Sequence, residues 1–244
     1  MKPQNDARST HTEAPHLSAE RTSDDFEKFV YLLSHDVRNS ARALIELPQW
    51  IMEDLEAEGH SISGSLAENL DLMNTHTRRL DRMLIDLLVH SRVGRMQSVE
   101  TVDLGDTLDM VLEQLSIPVG FKIHQNFGKN SIRMGPRDAF TLIDALISNA
   151  IKHHDSEVGV VNISSQQTSD TCIIRIQDDG PGIHEKYRDR IFEAMTTLKP
   201  RDVVEGSGMG LAIARKIVSV YGGKIELLPN GSARNTTIEI TFPI

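Results

Sequence analysis

The residue types best suited to chemistry lie in the second half of the sequence. DDGPGI, at Asp178 to Ile183, follows an alternating apolar run, and GSGMGL, at Gly206 to Leu211, precedes a helical one, so each offers backbone that a ligand can approach closely. The second has the make-up of a phosphate cradle, because unpaired amides and the macrodipole at a helix N-terminus favour an anion. It fits neither the P-loop, which needs Lys and Ser or Thr after its last glycine, nor the dinucleotide fingerprint. Taken singly, each box reads equally well as a turn. Upstream, DALISNAIKHH sets Asn149 opposite Leu142, Leu146 and Ile147 on a helix, with Lys152 one turn further along the polar face. An amide oxygen can ligate Mg2+ and an ammonium can neutralise phosphate, so the pair suits a nucleotide; an isolated Asn and Lys would be a solvated face. Between the glycine boxes, FEAMTTLKPRDVVE is a long loop without periodicity, which fits a nucleotide lid. Lys199 and Arg201 in it are either phosphate contacts or plain surface charge.

These residues need elements to hold them. The periodicity predicts a helix from about Leu104 to Leu115, strands near Phe121 to Asn126 and Ser131 to Met134, and a helix from Pro136 to His153. Strands at Gly159 to Gln166 and Thr171 to Gln177 follow, then a helix from about Gly208 to Tyr221 and strands near Lys224 to Leu228 and Thr236 to Thr241. The pattern reads as a mixed sheet with helices on one face, an α/β two-layer sandwich.

The first half has another character. After a Ser-, Thr- and Pro-rich tail over residues 1–24, Phe26, Val30, Leu33, Val37, Leu44, Ile51 and Leu55 recur at helical spacing, with Ser23 or Asp24 as N-cap and a kink expected at Pro48. A turn at GHSISG leads to a second helix carrying Leu66, Leu70, Met73, Thr77, Leu80, Leu84 and Leu87. A two-helix hairpin has no third layer to cover its seams, so a homodimer built as a four-helix bundle is the expected solution, packing on the rest of the chain being the alternative.

Composition narrows the partners. The chain has 244 residues, 26 basic against 35 acidic side chains and a formal net charge of -9, so a face for nucleic acid or anionic lipid would oppose the overall field. Cys172 is the single cysteine and forms no internal disulfide; no apolar run reaches the roughly 18 residues of a membrane span, and the polar start lacks a signal peptide's apolar stretch. A cytoplasmic protein is expected.

Asn149 with Lys152, Asp178 with Gly180 and Gly182, and Gly206, Gly208 and Gly210 together resemble the N box and the two glycine boxes of sensor histidine kinases, members of the ATPase superfamily of gyrase, MutL and the heat-shock chaperones. The resemblance implies a Bergerat-type ATP-binding fold over residues 100–244. It implies that Asp178 accepts from the adenine amino group, that Asn149 holds Mg2+, that Lys152 meets phosphate, and that the second box through Leu211 caps the triphosphate. SHDVRNS resembles the phosphoacceptor box of the same kinases, in a dimerisation hairpin over residues 25–99. The helical wheel sets His35 opposite the apolar stripe, therefore exposed. His35 would attack the γ-phosphorus, with Asp36 fixing its tautomer. Asn39, one turn on, would orient a water that dephosphorylates a partner's aspartyl phosphate; a solvent-facing Asn is the other reading.

The implied activity is that of an ATP:protein-histidine phosphotransferase that passes its phosphoryl group from His35 to an aspartate of a response-regulator receiver. A non-catalytic phosphotransfer or scaffold protein with a vestigial ATP site is the alternative. A gyrase-type ATPase is disfavoured, because the water-activating acid one turn before the Mg2+-binding Asn is here Ala145. Ser40, Ala145, His154 and Met195 depart from the common kinase pattern, whereas Phe192 keeps the first lid aromatic. With no residues left over for a sensor, the signal is expected from a separate sensor protein, or the chain is cut from a longer receptor.

Overall fold

The structure is a computed structural model that describes residues 32, 36–38, 42, 44–128, 130–199, 206–229 and 234–244. The expected tail, the helix start at Phe26 with its caps, and His35, Asn39, Ser40 and Arg201 lie outside them. Two helices come first, α1 over residues 44–57 and α2 over Ser65–Arg92. Residues 32, 36–38 and 42 are also helical, and α1 is helical on both sides of Pro48. Arg38 Nε donates to Asp81 Oδ1 at 2.8 Å, which sets the first helical segment alongside the middle of α2 as a hairpin. Few apolar side chains of the hairpin are covered: Leu70 and Leu84 are buried, while Leu44, Trp50, Leu72 and Met73 stay exposed. No helix among the described residues is long and apolar enough to cross a membrane.

The α/β part follows as β1 (Glu100–Asp103), α3 (Leu104–Gln114), β2 (Phe121–Asn126), β3 (Ser131–Met134), α4 (Pro136–Lys152), β4 (Gly159–Gln167), β5 (Thr171–Asp178), α5 (Gly210–Val220), β6 (Lys224–Leu227) and β7 (Thr236–Pro243). Five strands form a mixed sheet in the order β2-β4-β5-β7-β6, parallel only between β2 and β4. Burial alternates along β4, β5 and β7, so Val161, Ile163, Ile174, Ile176, Ile238 and Ile240 face one side. The other side carries polar groups such as the Arg175–Glu239 ion pair. Against the apolar side α4 lays Leu142, Ile143, Leu146 and Ile147, and α5 lays Ile213, Ala214 and Ile217, all in one core. This is the expected two-layer sandwich. Local chemistry starts the helices: Asp103 caps α3 by accepting from Gly105 N and Asp106 N at 2.7 and 3.1 Å, and Pro136 opens α4, where its missing donor costs nothing.

Strand β1 was not expected from the sequence. Its four residues pair antiparallel with β3, Val102 opposite Ile132, and four residues are too few to show an alternation. The segment before β1 is tied down as well. Val93 is buried in the α/β core, and Gly94 N donates to Asp138 Oδ2 at 2.7 Å. The Tyr221 hydroxyl donates to the same oxygen at 2.8 Å and accepts from Gly135 N at 3.1 Å. Arg137 adds guanidinium bonds to the carbonyls of Arg95 and Met96 at 3.2 and 3.0 Å. The end of α2 is therefore welded to the starts of α4 and the end of α5.

Burial and the neighbouring Asp138 push the Tyr221 phenol up to about 12. A raised phenol stabilises the fold fully below its ordinary value near 10, and that contribution disappears as pH climbs through about 12. Denaturant unfolding followed from pH 8 to 12 should show the wild type losing stability over that upper window. The Tyr221→Phe variant should start about 1 kcal/mol less stable and lose less across the window.

Candidate functional site

Helix α4 is amphipathic in the way that a site requires. The same turns that bury Leu142, Leu146 and Ile147 carry Asn149 and Lys152 on the other face, along the wall of a cavity between α4, α5 and the chain that joins β5 to α5. The cavity has two lobes that share Asn149, His153, Lys199 and Leu211. The smaller lobe, about 240 Å³, is enclosed by Asp178, Gly182, Ile183 and Thr236. The larger, about 700 Å³, is lined by Lys152 and by Gly206, Gly208 and Gly210, and is walled on its outer side by Arg82, Asp86 and Val89 of α2.

Asp178 ends β5 and is 8% exposed, so its carboxylate meets the small lobe from a nearly dry position. It accepts from Gly180 N at 3.0 Å and from the Thr236 hydroxyl, yet burial outweighs these bonds and pushes its carboxyl above the ordinary range. A buried acceptor with capacity left over suits a hydrogen-bond donor on a flat ligand. His153 borders both lobes, and burial, followed by the nearby Lys152 and Lys199, holds its imidazole towards the neutral form. Lys199 Nζ donates to the His153 carbonyl at 3.4 Å. Among the described residues the Asn149 side chain makes no hydrogen bond, which leaves its amide for something in the cavity.

The second glycine stretch is shaped by space and by dihedral. Gly208 has φ +75°, and a Cβ there would lie 2.7 Å from the Thr196 carbonyl oxygen. Gly206 passes over Lys152, whose Nζ would be 2.6 Å from a Cβ. Ser207 Oγ accepts from Met209 N at 3.1 Å just before α5, whose first-turn amides have no acceptor inside the helix. Gly210 is different: a Cβ would meet nothing within 4 Å, so no steric demand holds it. Gly180 borders neither lobe; it turns tightly against Asp178 and His154, and His154 Nε2 lies 3.0 Å from Asp179 Oδ1. Asp36 is exposed on the first helix, away from both lobes, and the two other phosphoacceptor-box residues singled out, His35 and Asn39, lie outside the described residues.

Sequence reasoning missed the α2 wall. The Ser207 hydroxyl donates to Asp86 Oδ2, with Lys152 and Arg82 near enough to act on that carboxylate electrostatically. Arg82 and Asp86 form an i,i+4 pair on the polar side of α2, which is visible in sequence as a pair; no periodicity says that the pair faces a cavity of another part of the chain. His153 and Thr236 were missed for the same reason, since each is placed by contacts between elements.

The comparisons with known proteins agree with this geometry. The family model described as "Histidine kinase-, DNA gyrase B-, and HSP90-like ATPase" matches residues 134–244. Cyanobacterial phytochrome B of Nostoc is 30% identical over 224 residues, which are 86% of this chain and 28% of the relative. The signal transduction histidine-protein kinase AfsQ2 of Streptomyces coelicolor is 29% identical over 220 residues, 84% of this chain and 40% of that protein. The chain thus spans well under half the length of these curated relatives. Among solved structures, the mycobacterial sensor histidine kinase MprB superposes with TM-score 0.53 at 25% identity, over 59% of this chain and 97% of that one. Full-length ShkA in complex with AMPPNP superposes with TM-score 0.66 at 20% identity, over 88% of this chain and 45% of that one, a likeness of fold. Residues 134–244 belong to the histidine kinase-, gyrase B- and HSP90-like ATPase family. The chain as a whole has the make-up of a sensor histidine kinase catalytic core: a helical region followed by that ATPase domain.

Gly208→Ala should be costly out of proportion to one methyl group, because it adds a side chain at positive φ and drives it into backbone. Chemical denaturation is expected to show a loss of about 2 kcal/mol or more, against a few tenths for Gly210→Ala, where the space is open.

Proposed function

We propose that this chain is an ATP-dependent protein histidine kinase that phosphorylates His35 and hands the phosphoryl group to an aspartate of a response-regulator receiver. The observation that carries this reading is the meeting of three separate sequence segments at one cavity: Asn149 and Lys152 from α4, Asp178 and Gly182 from the end of β5, and the Gly206–Gly210 stretch before α5. The adenine fits the small lobe, its amino group donating to Asp178. The phosphates occupy the larger lobe, where Lys152, Lys199 and the first amides of α5 neutralise them.

Magnesium fits the donors that are present. The described residues hold no group of three His, Cys, Asp or Glu able to grip a metal by themselves, whereas Asn149 offers one amide oxygen. Asn149 would hold a Mg2+ ion together with oxygens of the ligand and water, and the ion would supply charge neutralisation. Ala145 leaves the family's first N-box position without a donor, so Asn149 bears this role with less help.

In the transfer itself, one ring nitrogen of His35 forms the bond to the γ-phosphorus while the bond to the β-γ bridging oxygen breaks, and ADP leaves. Asp36 holds the other ring nitrogen and its proton, which fixes the nucleophilic tautomer. Asn39 orients the water of a phosphatase step on the partner's aspartyl phosphate. The chain works as a homodimer through the exposed apolar faces of the hairpin, among them Leu44, Trp50, Leu72 and Met73, and receives its signal from a sensor region or a separate sensor protein.

Incubation with γ-labelled ATP and Mg2+ should give acid-labile, base-stable label on the wild type and none on His35→Gln. Label that persists on His35→Gln would overturn the assignment of the acceptor, and ATP binding without any label would favour a phosphotransfer or scaffold role. Asn149→Ala should lower the labelling rate at least 100-fold, on the scale of losing one preorganised group in phosphoryl transfer. For Asp178→Asn the two readouts should part. Its raised carboxyl means that the buried charge disfavours the fold above the usual carboxylate range, so at pH 7 the variant should melt no lower than wild type while losing ATP affinity about tenfold or more.

A further inference from the structure

The ATP-site reading leaves one contact without a role, the bond between Asp86 of α2 and Ser207 of the second glycine stretch. Asp86 stands at the wall of the larger lobe and presents a carboxylate to the groups that would receive phosphate. Ser207 donates to its Oδ2, Lys152 lies opposite, and Arg82 sits one turn earlier on α2. The contact joins positions 121 residues apart and bridges the helical hairpin and the α/β part.

Resting on the ATP-site reading, we propose that Asp86 is an internal competitor for the phosphate groups: its carboxylate occupies the phosphate end of the empty site, and nucleotide binding expels it and so releases α2 from the second glycine stretch. Two anions cannot share one small set of donors without the repulsion that like charges at close range impose. ATP brings several negative oxygens to Lys152 and the α5 amides, whereas Asp86 brings one carboxylate that has given up much of its hydration. The nucleotide therefore wins, and Asp86 regains water as it leaves. Arg82, on the same face of α2, leaves with it or turns to the incoming phosphates. The helix that belongs to the hairpin is thereby a sensor of whether the ATP site is filled. This is a property of this chain's own residues at positions 82, 86, 152 and 207.

The test is nucleotide affinity by calorimetry, with hydrogen exchange as a second readout. Asp86→Ala should bind ADP with Mg2+ about three- to tenfold more tightly than wild type, the scale of removing one hydrogen-bonded competitor. Adenosine, which has no phosphate, should bind both proteins equally. Asp86→Asn, which keeps an acceptor for Ser207 and loses the charge, should fall between them for ADP. Without nucleotide, amides of residues 206–212 should exchange faster in Asp86→Ala than in wild type, and adding ADP to wild type should raise exchange along residues 80–90 of α2. Equal or weaker ADP binding by Asp86→Ala, or a change of the same size for adenosine, overturns the proposal. A wild type that binds no ADP would sink the ATP-site reading, and the exchange comparison without nucleotide still decides the contact: equal rates in the two proteins refute it.

Discussion

Helix α4 is the constraint from which the rest of the site follows, because it has to satisfy a dry neighbour and a wet one with the same four turns. Its apolar stripe of Leu142, Ile143, Leu146, Ile147 and Ala150 fills the space over the sheet, and at roughly 100° per residue this fixes the direction of every other side chain on it. Asn149 and Lys152 cannot be moved to another face without unburying the core. Rotating α4 by one residue would exchange Leu146 or Ile147 for Ser148 at the sheet, which exposes apolar surface worth about 2 kcal/mol per side chain. The sheet thus aims the Asn and the Lys. The same reasoning applies to β5, where alternation that buries Cys172, Ile174 and Ile176 also buries Asp178 at the strand end.

A second tension is electrostatic. The chain carries a formal charge of -9, and its proposed ligand is a polyanion. Its cavity answers with local cations, Lys152, Lys199 and Arg82, and with backbone amides whose dipoles are fixed. Such a site must cope with concentrated positive potential when it is empty. Placing Asp86 against Ser207 near Lys152 and Arg82 offsets that potential from within the protein, at the cost of desolvating a carboxylate, which burial pushes above its ordinary range. Asp178 bears a similar cost, burial pushing its carboxyl above the ordinary range, and in the proposed reading that cost keeps an acceptor dry for a base.

Much of this was legible in the sequence. Strands β2 and β3 stand where alternation put them, α4 begins at the proline that announced it, and the glycine boxes with Asn149, Lys152 and Lys199 meet at one cavity because each motif travels with the element that positions it. What escaped has a common physical cause. Strand β1 is short and is a strand only because Val102 pairs with Ile132, and Arg82, Asp86, His153 and Thr236 reach the cavity through packing between elements far apart in sequence. Periodicity describes one element against an average environment, so it reports which face is buried and not what the polar face meets. The glycines show the same limit: Gly208 and Gly210 look alike in GSGMGL, yet only the first stands at positive φ against backbone.

Among the contacts between the end of α2 and the α/β part, which include Leu87 and Val89 packed against the core, two differ most in kind. One is the buried weld, where Val93 enters the core, Gly94 N and the Tyr221 hydroxyl share Asp138 Oδ2, and Arg137 holds two carbonyls of the following segment. The other is the Asp86–Ser207 contact, a side-chain bond at the edge of an open cavity. Asp86 lies within α2, and the weld at Val93 and Gly94 lies just past its end at Arg92. The second yields more readily than the first, because burial of Val93 and several shared hydrogen bonds must fail together before the weld gives, whereas one carboxylate can be displaced by a competing anion. The proposed transfer of a phosphoryl group to His35 would draw on that combination, a firm root just past the end of α2 and a breakable contact within its last two turns.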